Sequence, residues 1–173
     1  MVSMRGPRDT YKIEVIPIGE EHIPSFRSCL DSVARERVYL GMTKAPPIDS
    51  TFEFVRSNIK NNYPQFVAVE ENRVVGWCDI IPRKGEGFTH SGTLGTGVLE
   101  GYRGQGLGNR LMDATIEAAR NFGVERVELE VYASNTRAIR MYEKWGFVRE
   151  GVKKRARKLD GVYDDIIVMA LFL

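Results

Sequence analysis

Four glycines fall within the eight residues Gly101–Gly108 of the stretch Gly101-Tyr102-Arg103-Gly104-Gln105-Gly106-Leu107-Gly108-Asn109. Each costs roughly 0.5–1 kcal/mol against alanine inside a helix or strand, so this stretch is neither. Thr93–Leu99 before it reads as a short strand. After it, Leu107, Leu111, Ala114, Ala118 and Phe122 recur at helical spacing, and Gly123 is placed to end that helix. A glycine loop running from strand into helix exposes several backbone N–H groups, and the helix N-terminus adds partial positive charge. Such a loop is an anion site whose usual occupant is phosphate. The competing reading is a tight turn with no ligand.

The rest of the chain places this loop in a fold. Tyr11–Ile18 alternates as a strand, with Tyr11, Ile13 and Val15 on one face. Ile23, Phe26, Leu30 and Val33 form a helical stripe within 20–37, and Lys44–Pro47 break the chain. Asp49–Thr51 offer N-cap residues for a second helix carrying Phe54, Val55 and Ile59. Gln65–Val69 and Val74–Ile81 are apolar runs joined by a tight turn at 70–73. Val127, Leu129 and Val131 alternate in a strand, and Asn135 caps a short helix that stops at Gly146. The last two strands flank Asp160-Gly161, a hairpin dipeptide. The order β-α-α-β-β-β-α-β-α-β-β predicts an α/β (α+β) fold: a mixed, mostly antiparallel sheet with helices on both faces. Residues 1–10 read as a flexible N-terminus and 11–173 as a single domain.

Net charge is only +2, too little for the concentrated basic face that nucleic acid calls for. The basic run Lys153–Lys158 alternates along a strand and reads as a solvent-facing hairpin arm. Cys29 and Cys78 stand apart with two histidines in the chain, a poor set for zinc and no demand for a disulfide. The start lacks the apolar run of a secretory signal, and the apolar C-terminal stretch is too short to span a bilayer. A cytoplasmic protein with no metal and no membrane or nucleic-acid partner is the expectation.

Three phosphate loops compete. The nucleotide-hydrolase loop needs a lysine after its last glycine, where this chain has Asn109. The dinucleotide loop needs a different spacing from Gly104, Gly106 and Gly108. The third, [QR]-x-x-G-x-[GA], is met by Arg103, Gly106 and Gly108. Through it the sequence resembles the GCN5-related N-acetyltransferase (GNAT) superfamily. A second stretch carries the resemblance further: Asn135, Ala138, Tyr142, Gly146 and Phe147 match that family's N-x-x-A-x-x-x-Y-x-x-x-G-F pattern at the expected distance.

The resemblance implies acetyl-CoA as co-substrate and direct transfer of its acetyl group to a primary amine. It implies that Arg103, Gly104, Gln105, Gly106, Leu107 and Gly108 hold the pyrophosphate, mainly through main-chain N–H groups. Val98 and Leu99 would pair with the pantetheine arm, and Asn135 would contact it. A bulge near Gly95 and Gly97 would free an N–H to face the thioester oxygen. Tyr142 would be the general acid for the departing thiol; against model values near 10 and 8.5 the transfer is uphill by about 2 kcal/mol. Relatives often carry a glutamate where this chain has Thr93. His90, Asp79 or Glu130 could substitute, but the simpler expectation is that no side chain serves as base and the pH limb follows the amine itself.

Residues 34–47 resemble bacterial acetyltransferases acting on free amino acids and related small amines. Glu36, Tyr39 and Asp165 are the acceptor-site candidates, with Arg35 or Arg37 for a carboxylate. The leading expectation is an N-acetyltransferase of a small amine, an amino acid for example. The alternatives are a protein N-terminal acetyltransferase and a non-catalytic acyl-CoA-binding module. The resemblance also makes a homodimer reasonable.

Overall fold

The computed structural model describes residues 12–173. The flexible segment expected at 1–10, and Tyr11 of the first strand, fall outside the described residues. The strands are β1 (Glu14–Pro17), β2 (Gln65–Glu70), β3 (Arg73–Pro82), β4 (Ser91–Val98), β5 (Arg126–Tyr132), β6 (Val148–Leu159) and β7 (Val162–Phe172). The helices are α1 (Ile23–Arg35), α2 (Ile48–Lys60), α3 (Leu107–Phe122) and α4 (Thr136–Trp145). They follow the expected order. The seven strands form one sheet in the order β1-β2-β3-β4-β5-β7-β6. Every pair is antiparallel except β4 with β5.

Alternation along β3 sorts its neighbours. Cys78 meets Met112 of α3 (Sγ to Sδ 3.9 Å), while the Trp77 ring meets Phe26 of α1 edge-on at 5.9 Å. Even-numbered β3 residues therefore face α3 and odd-numbered ones face α1. On the α3 side Leu111, Met112 and Ile116 fill the core; on the α1 side Phe26, Val33 and Val55 do. Trp145 of α4 donates to Asn109 of α3 (2.9 Å), which joins the two helices.

The turns obey local chemistry. Gly123 and Gly146 end α3 and α4 with φ of +101° and +97°, a backbone that L side chains resist. Asp160-Gly161 turns between β6 and β7 with both φ values positive. Two expectations change. A single 3₁₀ turn, Glu20–His22, precedes α1 because Pro24 sits in its first turn and sets the helix start at Ile23. Pro47 is the N-cap of α2, so Asp49–Thr51 lie inside its first turn and no side chain caps that end. No helix among the described residues is long and apolar enough to cross a membrane.

Candidate active site

β4 and β5 pair only at Ser91–Arg126, Gly92–Val127 and Thr93–Glu128, and then part. On the other side of β4 the pairing with β3 continues. Arg83 N–H donates to Ser91 C=O (2.8 Å) at one end and Leu99 N–H to Val75 C=O (2.9 Å) at the other. The register between them has no shift. Antiparallel strands exchange both bonds at alternate residues, so odd-numbered β4 residues spend their polar groups on β3. Leu94, Thr96 and Val98 turn theirs into the gap. The bulge expected near Gly95 and Gly97 is absent. Divergence of β5 frees the N–H groups instead. Gly97 is needed for packing: a Cβ there would overlap the Trp77 ring.

A cleft of about 1070 Å³ runs through this gap. Leu94–Val98 line one wall and Leu129–Val131 the other. The glycine loop and α4 close one end; Val33, Tyr39, Leu40 and Gly41 form the other. Gly104 and Gly106 have φ of +77° and +78°, which turns the chain sharply into α3. None of the backbone N–H groups from Gly104 to Asn109 donates to a backbone carbonyl among the described residues. They form a concave row of donors at a helix N-terminus. The Arg137 guanidinium of α4 lies over Gly104, 3.2 Å from where a Cβ would stand.

The site residues named from the sequence divide into two groups. Val98, Arg103, Gly104, Gly106, Leu107, Gly108, Asn135, Tyr142 and Tyr39 all line the cleft. Leu99, Gln105, Glu36 and Asp165 are not among the lining residues. Leu99 spends its N–H on Val75, and the Gln105 amide donates back to Gly101 C=O (3.3 Å). Asp165 accepts from Lys154 (2.9 Å) and from Arg155 N–H (2.7 Å), outside the cleft.

Arg103 is committed elsewhere too. Its N–H donates to Glu100 C=O (3.3 Å) and its Nε to Val98 C=O (2.8 Å). The fork then grips Glu36 through both nitrogens, at 2.8 and 2.6 Å, and lies over the Tyr39 ring at 4.7 Å. Glu36 raises the guanidinium pKa further, so the pair stays charged. Arg103 thus ties the glycine loop to the segment after α1. Arg35 and Arg37 are paired as well, with Asp31 (2.6 Å) and Asp160 (2.8 Å).

Tyr142 is 7% exposed, its ring tilted against Phe147 at 5.5 Å. Burial, with a smaller contribution from Cys78, pushes its phenol pKa up. Burial pushes the Cys29 and Cys78 thiols up to about 12, so both stay neutral and neither suits a nucleophile. Asn135 caps α4 by accepting from Ala138 N–H (3.2 Å).

Sequence reasoning missed the basic face of α4. Arg137, Arg140 and Lys144 all line the cleft. Their spacing of three and four after the Asn135 cap was the available signal.

The model of the acetyltransferase (GNAT) family matches residues 29–147, more than half of the sequence. The chain belongs to the GNAT family. An N-alpha-acetyltransferase of Saccharolobus solfataricus is 32% identical over 143 residues, covering 68% of this chain and 81% of that protein. The L-amino acid N-acetyltransferase AaaT of Escherichia coli is 31% identical over 139 residues, covering 79% and 85%. The structure of yncA from Salmonella typhimurium with its cofactor acetyl-CoA superposes with a TM-score of 0.87 at 18% identity, covering 94% of each chain. This GNAT chain is therefore an N-acetyltransferase by family, on the same sheet and helices. Its cleft suits a long anionic thioester: donors for phosphate at one end, and unpaired strand edges that can pair with an amide-bearing arm.

Proposed function

We propose that this GNAT protein transfers the acetyl group of acetyl-CoA to the primary amine of a small molecule of the amino-acid class. One observation carries the reading: the donor row at Gly104–Asn109, the β4 edge and Tyr142 all line a single cleft that opens onto the α1 side. When bound there, acetyl-CoA supplies an electrophilic carbonyl and a thiol leaving group.

The chain's own residues do the rest. Gly104–Asn109 N–H groups and Arg137 hold the pyrophosphate. Arg103 shapes that loop from behind, with both faces of its fork already used. Leu94, Thr96 and Val98 align the pantetheine arm, and one of their N–H groups stabilises the developing oxyanion. Tyr142 holds the proton for the thiolate. Its burial weakens it as an acid, but the same dry surroundings raise the basicity of a thiolate beside it, which keeps the transfer close to balance. With both thiols of the chain neutral and buried, transfer is direct rather than through an acyl-enzyme. Two free thiols also suit a reducing cytoplasm.

A small acceptor is favoured by a tie across the far end. Arg37 pairs with Asp160 in the β6–β7 turn, and Arg157 donates to Arg37 C=O (2.6 Å). An extended peptide would have to open it. Acetylation of a protein N-terminus is the second reading, supported by the 32% identity to an N-alpha-acetyltransferase. Thiol release from acetyl-CoA, measured with free amino acids, polyamines and short peptides, tests both. Turnover on amino acids above peptides is expected; turnover on peptides alone would reverse the choice.

A further inference from the structure

We propose that Asp79 is the general base that takes the proton of the acceptor ammonium. The inference deepens the N-acetyltransferase reading and rests on it.

Asp79 is on β3 and faces α1, the side on which Val33 and Tyr39 line the acceptor end. Its register partner on β4 is Gly95, two residues beyond the last β4–β5 pair at Thr93. The carboxylate thus stands where the two strands have just parted. Gly95 lines the cleft, and Asp79 Oδ1 lies 3.1 Å from the position a Cβ would take there. A side chain at residue 95 would press on the carboxylate. Glycine leaves it resting over bare backbone at the cleft wall.

The carboxylate is also unsupported. Asp79 is 8% exposed, and no hydrogen bond or cation engages its side chain among the described residues. Its β2 neighbour Gln65 gives Oε1 to Asn58 (2.8 Å) and leaves Nε2 without a partner. Folding alone gives no reason to bury an unpaired carboxylate, and such groups concentrate at working sites. The charged groups nearest on this face are already engaged: Arg83 with Glu128 (3.1 Å), and Glu130 with Lys153. Cys78, on the opposite face, feels the Asp79 charge, and its thiol stays neutral. Burial pushes the Asp79 carboxyl up to about 7, where it can both accept a proton and return it.

The step balances simply. One N–H bond of the ammonium breaks and an O–H bond forms on Asp79. The lone pair stays on nitrogen, ready to attack, and the carboxyl later gives its proton to solvent. Asp79 thereby takes the place left empty at Thr93, from the neighbouring strand.

Two kinds of measurement test it. In wild-type enzyme, kcat/KM against pH for amines ranging from an α-amine near 8 to a lysine-like amine near 10.4 should share one limb near 7. In Asp79→Asn the limb should instead follow each amine, with kcat/KM at neutral pH down about 10²-fold and acetyl-CoA affinity unchanged. Glu130→Gln should keep the shared limb. The second measurement needs no turnover. A carboxyl whose pKa is raised on folding stabilises fully below its unfolded value and loses that stabilisation as pH rises through its folded value. Asp79→Asn should therefore melt above wild type at pH 8 by several degrees, with the gap shrinking toward pH 4. A wild-type limb that moves with the amine overturns the proposal. So does a limb abolished by Glu130→Gln, and these two results hold even if Asp79→Asn fails to fold. Wild-type enzyme that acetylates no amine would overturn the underlying reading instead.

Discussion

At one end of the cleft the groups that meet an anion come from a single continuous stretch, Gly104–Asn109, overlaid by one helix, α4. At the other end the walls come from the segment after α1 and from β4 and β5, with the β6–β7 turn tied across them through Arg37 and Asp160. The first end is backbone, shaped by glycine. The second is side chains, paired with one another across long sequence separations. A backbone site tolerates change in its side chains but not in its φ angles. A side-chain site can be retuned by single substitutions, and relatives of similar identity carry names that differ in the acceptor.

Four substitutions press on that contrast. Tyr142→Phe should lower kcat by about 10²-fold while leaving acetyl-CoA binding within a factor of about two. Turnover near wild type would make the tyrosine a packing residue against Phe147. Gly106→Val should weaken acetyl-CoA by about tenfold, since a β-branched residue resists φ of +78° and would project toward the bound phosphate. Calorimetric titration on a variant with native circular dichroism decides this. Unchanged affinity would remove the loop from the site.

Arg103→Lys probes the seam between the two ends. Lysine cannot reproduce the fork on Glu36 or the stack over Tyr39, so acetyl-CoA Kd and acceptor KM should both rise, by about fivefold each. Glu36→Gln should then add little in the double variant, because the two residues act as one unit. A change confined to Kd would mean that Arg103 serves the loop alone. The smallest effect belongs to Asn135→Ala, which removes the α4 cap. It should cost about 1 kcal/mol of stability, read as a Tm fall of about 2–4 °C.

Much of this was legible in the chain before any coordinates. Helix ends at Gly123 and Gly146 follow from glycine's access to positive φ, and the Asn135 cap follows from its side-chain oxygen. The glycine loop was legible as a phosphate site because its chemistry is local: spacing along the chain is spacing in space. Tyr142 was legible only through its position in a longer pattern, since a tyrosine beside Ile139 and Trp145 otherwise reads as core.

What the sequence determined, then, is what contiguous residues decide among themselves: the order of elements, the turns, the donor loop. What the tertiary structure decided is every question of which distant group meets which. Arg103 looked like a phosphate ligand, yet Glu36, 67 residues away, holds its fork. The oxyanion donors were expected from a bulge; they come from the parting of β5 from β4, which no local pattern encodes. Asp79 could not be ranked above His90 or Glu130 from the chain, because its standing depends on burial, on Gly95 across the strand and on the absence of a cation nearby. Long-range pairing and desolvation are properties of the packed whole, and they arise only once the sheet has formed.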